Sequence, residues 1–492
     1  MIKINLLNSK WAPNDGKYKS QIVLTYDEWN DYGYQTSFYM YFCDHNRIVH
    51  KIGAVKIYCK KNIADRELLN YTHTREYLGQ EIKYLSSDCC SLGQDLNYYE
   101  TIKKLFPNEY SEIFSRLNDI AIYKELEDRF IKEPGVKESL LRFSGAQKAL
   151  NEAKAMVFGQ KISEKNISFS YQIKMPYDSS TTRLNFDFSK HDDFPYRINI
   201  IIGKNGTGKT QLLSHLADSL SGYTENKEED CFVGERPPVD KVMSISYSAF
   251  DCFKKPPQGY FDQRNVFSYV YCGIQSEHGT LSLNELKNNL SKAYKTVKSK
   301  QRTEVWKEVL SELMEEEHQR TVEAIAAENF DAINLSSGQQ ILICTITELI
   351  ANIENESILL FDEPEIHLHP NAISNVMRMF YRLLDEFNSY AIFTTHSPII
   401  LQEIPSKYIQ ILERIDGTSY VRKPDVECFG NNISDIIFDV FNVKGSESNF
   451  KTIIRKISQN KTRDQIKELF NNQLSLNALI YLENCTKMEG GL

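Results

Sequence analysis

What this 492-residue chain lacks already removes several classes of protein. The N-terminus, Met1-Ile2-Lys3-Ile4-Asn5-Leu6, has no long apolar core of the secretory kind, and no run approaches the ~20 apolar residues of a membrane span. The expectation is a soluble, cytoplasmic protein with no membrane partner. An excess of positive charge is also missing: Lys+Arg 58 against Asp+Glu 66 leaves a formal charge of -8, so the whole-molecule field repels nucleic acid and any such contact needs a local patch or a partner. No sustained heptads appear, which excludes a long coiled-coil arm, and there are no internal repeats. Ten cysteines run from Cys43 to Cys485, but the one close pair, Cys89-Cys90, is adjacent. That spacing suits neither a zinc ribbon nor a disulfide framework, so reduced thiols used as small hydrophobes are expected.

The chain is 41% hydrophobic, enough for two or three lobes with real cores or one elaborated domain. Up to about residue 85, runs such as Gln21–Tyr26 and Ser37–Phe42, broken by Gly and Asn/Asp turns, predict an antiparallel sheet. The aromatic stretch from Trp29 to Phe42 could stack bases, but aromatics in strands are more often core, and core is the reading taken. From about Cys90 to Phe158 the spacing of Leu96, Tyr99, Ile102 and Leu105, and later of Leu141, Ala146, Ala149, Leu150 and Ala153, is helical. Extended runs return at Ile167–Tyr171 and Leu184–Phe188, and Ile198–Ile202 is apolar throughout, as a strand buried on both faces of a parallel sheet must be. Tyr223–Pro238 reads as a surface loop and Val242–Tyr247 as a strand. From Leu283 to Asn329 the pattern is helical again, and Lys292, Lys295, Lys298 and Arg302 fall at steps of three and four, on one face. A solvated face is the commoner explanation, yet in an acidic chain these four are the best candidates for contact with DNA or an acidic partner.

Chemistry concentrates in four segments. Gly203-Lys204-Asn205-Gly206-Thr207-Gly208-Lys209-Thr210 follows the buried strand and precedes an amphipathic helix. Glycines in such a loop let backbone N–H groups close round phosphates, the helix N-terminus adds positive potential, the lysine reaches the β and γ oxygens, and the Thr210 hydroxyl suits Mg²⁺. The apolar strand Ile358–Phe361 ends in Asp362, where a Mg²⁺-coordinating carboxylate belongs, and in Glu363, placed as general base toward water. A helix-capping role for this acidic pair is the bland alternative. Leu335-Ser336-Ser337-Gly338-Gln339 precedes an apolar helix, and His396 ends a strand at Tyr390–Thr394. Together these imply ATP and Mg²⁺ as ligands.

Those residues carry a resemblance. Leu335–Gln339 resembles the LSGGQ signature of ABC-type ATPases, with Ser337 in place of the first glycine. The resemblance implies that Ser336, Gly338 and Gln339 cap the γ-phosphate bound to the opposite subunit, and that His396 is the switch histidine. After the Val242 strand the family's Q-loop glutamine is absent, leaving Ser248, Asp251 or Gln258 as substitutes. Asp362-Glu363-Pro364-Glu365-Ile366-His367-Leu368-His369-Pro370 with Thr394-Thr395-His396-Ser397-Pro398 looks like the ABC/SMC-like branch containing the OLD nucleases and prokaryotic defence ATPases, over about residues 166–435. No D-x-D follows the His396 loop, so an intrinsic TOPRIM nuclease is not expected. Trp29–Tyr34, Ser91–Asp95 and Glu427–Gly430 are similar to the ATPase subunit of the Septu anti-phage system, also found with retrons.

The resemblance implies an α/β ABC-type ATPase head with a mixed or parallel core sheet, an antiparallel β subdomain and a helical subdomain. Its expected parts are residues 1–165, an N-terminal sheet and helical block in or on the head; 166–280, the nucleotide-binding core; 281–334, a helical subdomain with the basic face; 335–410, the signature, the Asp-Glu strand and the histidine; and 411–492, a C-terminal extension. It implies an anti-phage ATPase that forms an even-numbered homo-oligomer and scaffolds an HNH endonuclease partner. Alternatives are the ATPase of a defence system with a TOPRIM effector, a DNA-repair ATPase of the RecF or SMC type, a transporter motor, and a nucleotide-glued module that hardly turns over.

Overall fold

The computed structural model describes residues 2–489 except 15, 62–63, 66–69, 72, 161–166, 176–177, 179, 192–193, 223–230, 235, 249–250, 256–268, 277–278, 314–318, 328–336, 367, 416 and 442–448. Runs rich in β-branched and aromatic residues, the types that fit a pleated surface, form the first sheet. Its strands are β1 (Lys3–Leu6), β2 (Gln21–Tyr26), β3 (Ser37–Cys43), β4 (Val49–Cys59) and β5 (Cys89–Gly93), in that spatial order. Pairing is antiparallel from β2 to β5, whereas β1 runs parallel to β2. The aromatic run is core: Phe38 and Met40 are fully buried on the helix-covered face, and Tyr39 and Tyr41 pack with Phe143 on the other.

Helices α1 (Leu96–Leu105), α2 (Tyr110–Arg116), α3 (Lys124–Phe130) and α4 (Ser144–Phe158) follow. The helical block expected from Cys90 begins at Leu96, because Cys89–Gly93 pairs with β4 and the Asp95 carboxylate then accepts from the Tyr98 N–H to start α1. The expectation of reduced thiols is corrected at one place. Cys59 and Cys89, 30 residues apart, face each other across β4 and β5 and form a disulfide; eight other cysteines are free. Sequence spacing does not report cross-strand register, which is why the pairing was not foreseen.

Trp29–Tyr34 turns a charge inward. Asp31 accepts from Lys56 at 2.7 Å, from Arg142 at 2.9 Å, from the Ser139 hydroxyl at 2.8 Å and from the Trp29 indole at 2.7 Å. Lys56 and Asp31 are wholly buried, and burial pushes the Lys56 amine down to about 8 against the pull of Asp31. The other stretches of the looser resemblance are likewise tied into structure. The Gln94 amide donates to the Leu92 and Leu140 carbonyls, and Glu427 accepts the Ser406 and Phe429 N–H groups.

The second half is built on a seven-stranded sheet. After the antiparallel hairpin β6 (Ser168–Ile173) and β7 (Thr182–Asp187) come β8 (Ile198–Ile202), β9 (Val242–Ser246), β10 (Tyr269–Gly273), β11 (Ile358–Asp362), β12 (Tyr390–Thr395), β13 (Ile409–Ile415) and β14 (Thr418–Arg422). The spatial order is β10-β9-β11-β12-β8-β13-β14, parallel throughout except at β13/β14. The helices between strands are α5 (Lys209–Ser221), α6 (Leu283–Ser299), α7 (Thr303–Ser311), α8 (Gln319–Ala326), α9 (Ser337–Asn352) and α10 (Pro370–Glu386). Alternate residues of each strand serve opposite faces. Ile200, Met243, Ile245, Leu359, Phe361 and Phe393 pack with α6, α7, α9 and α10, while Ile201, Val242, Leu360 and Ile392 pack with α5 and the β6–β7 hairpin. At about 1.5–3 kcal/mol for each fully buried large aliphatic or aromatic side chain, burial on both faces makes this sheet the organising core. The fold is thus α/β, with a mixed core sheet, an antiparallel β hairpin and a helical layer. Among the described residues, no helix is long and apolar enough to cross a membrane.

The N-terminal half grips the end of α5. Gly222, at φ +73, closes that helix; Arg142 donates to its carbonyl at 3.1 Å, and Arg236 donates to the Arg142 carbonyl at 2.8 Å. Cations at a helix C-terminus complement its partial negative charge.

Candidate nucleotide site

The strand order brings distant segments to one edge. Across β8 and β12, Ile202 is level with Thr395; across β12 and β11, Thr394 is level with Asp362; across β11 and β9, Asp362 is level with Ser246. The loops leaving these strands therefore meet outside their carboxyl ends, where open α/β sheets hold ligands.

Gly203–Thr210 leaves β8 and enters α5. Gly206 and Gly208 adopt φ +79 and +92, which lets the backbone fold back at no steric cost. Gly203 has a different reason: a Cβ there would lie 2.3 Å from the Leu412 carbonyl oxygen. The Lys209 ammonium is drawn into the loop, donating to the Gly203 and Lys204 carbonyls at 3.2 and 3.4 Å. It also lies 2.5 Å from His396 Nε2. Burial lowers the pKa of Lys209, with Glu363, Asp362 and Glu365 pulling the other way. Lys204, Asn205 and Gly206 are exposed, and Thr207 is buried, its hydroxyl donating to the Lys204 carbonyl at 2.9 Å.

Asp362 is held on both oxygens. The Thr210 hydroxyl donates to Oδ2 at 2.8 Å and the Thr394 hydroxyl to Oδ1. Burial raises its pKa, which these hydroxyls oppose. A carboxylate and a hydroxyl this close, with no nitrogen or sulfur between them, form a hard-oxygen donor set that fits Mg²⁺.

Glu363 sits at φ +54, a left-handed conformation that a non-glycine residue holds only when its surroundings force it. Here its N–H donates to the Thr394 carbonyl at 3.0 Å and its carbonyl accepts the Ile366 N–H at 3.1 Å. Its carboxylate lies 3.1 Å from His396 Nε2, and that hydrogen bond is the main reason its pKa is lowered. The His396 nitrogen thus stands between an ammonium and a carboxylate. Both groups are within hydrogen-bonding distance of that nitrogen.

Of the residues singled out from the sequence, Lys209, Thr210, Asp362, Glu363 and His396 come together. Gly338 and Gln339 lie in the first turn of α9, while Ser336, like Gln258 and His367, lies outside the described residues. Asp251 is already engaged as a side-chain anchor, accepting from Tyr271 at 2.6 Å, from the Phe253 N–H at 3.2 Å and pairing with Lys255 at 3.4 Å. The Ser248 N–H donates to Ser246 Oγ at 3.1 Å. Arg302 must be removed from the basic face. The helix carrying Lys292, Lys295 and Lys298 ends at Ser299, Gln301 breaks it at φ +58, and Arg302 turns inward to the Ile350 and Ile353 carbonyls at 2.8 and 2.7 Å and to Glu354 at 3.0 Å. Thr394 and Glu365 belong to the two strings that carry the family resemblance, which assign them no role of their own.

Residues 276–402 match a family model described as "AAA domain, putative AbiEii toxin, Type IV TA system", so the matched span includes Asp362, Glu363 and His396. That segment is thus similar to an AAA domain. The chain is 25% identical to Protein ea59 of Escherichia phage lambda over 497 residues, 93% of each chain. It is 30% identical to the Retron Vc95 probable ATPase of Vibrio cholerae serotype O1 biovar El Tor over 116 residues, 21% of this chain and 22% of that one. Similar solved structures include cbiO1 from Clostridium perfringens, part of the ABC transporter complex cbiONQ, at TM-score 0.28 and 15% identity over 63% of this chain and all (100%) of that one. A nucleotide-free ATP-binding cassette from an ABC transporter is similar at TM-score 0.30 and 14% identity, over 56% of this chain and 95% of that one.

Proposed function

We propose that this chain binds and hydrolyses ATP, and that its cycle controls a partner nuclease of the HNH type in a prokaryotic anti-phage complex. The observation that carries the hydrolytic part is the convergence of Lys209, Thr210, Asp362, Glu363 and His396 at one sheet edge. The loop N–H groups and the start of α5 would receive the phosphates, and Lys209 would exchange its Gly203 and Lys204 carbonyl partners for phosphate oxygens. Glu363, kept ionised by its bond to His396, would take a proton from the attacking water. Thr210 and Asp362 would hold Mg²⁺, whose chemistry is to neutralise phosphate charge. His396, beside both Lys209 and Glu363, would contact the terminal phosphate.

The defence assignment leans on the Septu-like stretches and on similarity to a retron's probable ATPase; one relative matched over 93% of its length is phage-encoded. Ser336 and Gly338 would complete a second protomer's site, which requires an even-numbered assembly. Tagged protein should co-purify with an HNH endonuclease from native cells. Recovery without such a partner, combined with DNA-stimulated hydrolysis, would favour a RecF-like repair ATPase. The exposed Lys292, Lys295 and Lys298 on α6 are the feature that keeps this second reading in view. Ser336→Arg should block hydrolysis with nucleotide binding retained; an unchanged rate would remove the shared site.

A further inference from the structure

Glu365 lies two residues beyond Glu363, in the loop that leaves β11, yet its carboxylate is spent on the loop that leaves β12. One oxygen, Oε1, accepts both the Thr395 hydroxyl and the His396 backbone N–H, each at 2.7 Å. The Thr395 oxygen in turn accepts the Ser397 N–H at 2.9 Å, so the turn that presents His396 is tied through one side chain to the loop that presents Glu363. The second oxygen, Oε2, is buried and has no hydrogen-bond partner among the described residues. A carboxylate placed this way is poorly solvated, and burial raises its pKa. An acidic side chain in that position is costly. What it does accomplish is geometric: the imidazole lies 2.5 Å from Lys209 and 3.1 Å from Glu363.

We infer that Glu365 is a positioning residue for hydrolysis, holding His396 in register with Glu363 by accepting the Thr395 hydroxyl and the His396 N–H on one oxygen. The inference rests on the ATPase reading and adds a residue to it. The Glu365 carboxylate contacts the Thr395 hydroxyl and the His396 N–H, so it would act through His396. Losing it frees the 395–397 turn, and a displacement of about 1 Å at a reacting group is worth on the order of a hundredfold in rate.

The test is steady-state and single-turnover ATP hydrolysis by the full chain, with nucleotide affinity measured by fluorescent-ATP titration. Glu365→Ala should lower kcat by roughly 10- to 100-fold with KM and affinity changed less than about threefold. Glu365→Gln, whose amide oxygen can accept both bonds, should restore most of that loss. In a His396→Ala background, Glu365→Ala should cost less than about twofold, because residues acting as a unit are not additive. Should the alanine variant fold poorly, Thr395→Val removes one donor to the same oxygen and should show the same dependence on His396. An unchanged kcat in either variant, or an equal loss with and without His396, overturns the positioning role. Wild-type protein that binds but never hydrolyses ATP would instead refute the ATPase reading, and the positioning role with it.

Discussion

Replacing Glu363 by glutamine separates binding from chemistry. The side chain is half-buried, 3.1 Å from His396 Nε2, and belongs to a backbone at φ +54 that glutamate and glutamine tolerate alike. The amide oxygen can still accept from a protonated imidazole, so neither fold nor phosphate loop should change. What disappears is the carboxylate that, on the proposed reading, would accept a proton from water. General-base catalysis contributes roughly 10²–10⁴-fold, which at 1.36 kcal/mol per factor of ten is about 3–5 kcal/mol of transition-state stabilisation. The loss should fall on kcat, with nucleotide affinity within about threefold of wild type. The His396 bond sets the pH behaviour. Glu363's folded-state pKa is depressed below the ordinary 4.5, so the stability of its pairing is fully present above that value and is lost as pH falls through the folded-state value. Protonation of this carboxylate should therefore not limit activity in the neutral range. The assay is single-turnover hydrolysis beside equilibrium titration, with Lys209→Ala as the variant that loses binding. A glutamine variant hydrolysing within tenfold of wild type would show that the base lies elsewhere.

Gly203→Ala would push a Cβ to 2.3 Å from the Leu412 carbonyl oxygen, a backbone atom that cannot swing away. It should cost about 1–3 kcal/mol and weaken ATP binding, read by thermal melting and titration; a variant as stable as wild type would refute the close approach. Asp31→Ala would leave Lys56 buried without its counter-ion and deprive Arg142 of a partner. It should destabilise the protein by about 3–5 kcal/mol in urea titrations, and a loss under 1 kcal/mol would mean the cluster relaxes. Asp119, buried beneath Tyr99, has a pKa pushed up to about 7. The folded state then binds more protons than the unfolded chain between 3.8 and about 7, so this group makes stability fall as pH rises through that window. Asp119→Asn should flatten that part of the stability profile, and an unaltered slope would show that Asp119 is not its source.

How much of this was legible beforehand follows from how local each feature is. Gly203–Thr210 declares itself because glycine spacing, the strand before it and the helix after it are contiguous in sequence. Asp362 and His396 were found as strand-end residues by the same local reading. Arg302 was misjudged because a step of three or four implies a shared face only while the helix lasts, and it stops at Ser299. Thr394 and Glu365 stand in the strings that carry the resemblance, but a hydroxyl and a carboxylate have no periodic signal that would name their partners.

The sequence alone determined the glycine loop Gly203–Thr210 between strand and helix, the buried parallel strands, the acidic pair after Phe361 and the charge balance that excludes a uniformly basic surface, since all of these depend on neighbours along the chain. Only the tertiary structure decided the rest. Setting β12 between β8 and β11 brings Lys209 to His396, Thr394 to Asp362 and Glu365 to the His396 turn, and the register of β4 against β5 joins Cys59 to Cys89. Strand order and register are chosen by which faces can be buried together, a property of the whole core that no single segment encodes.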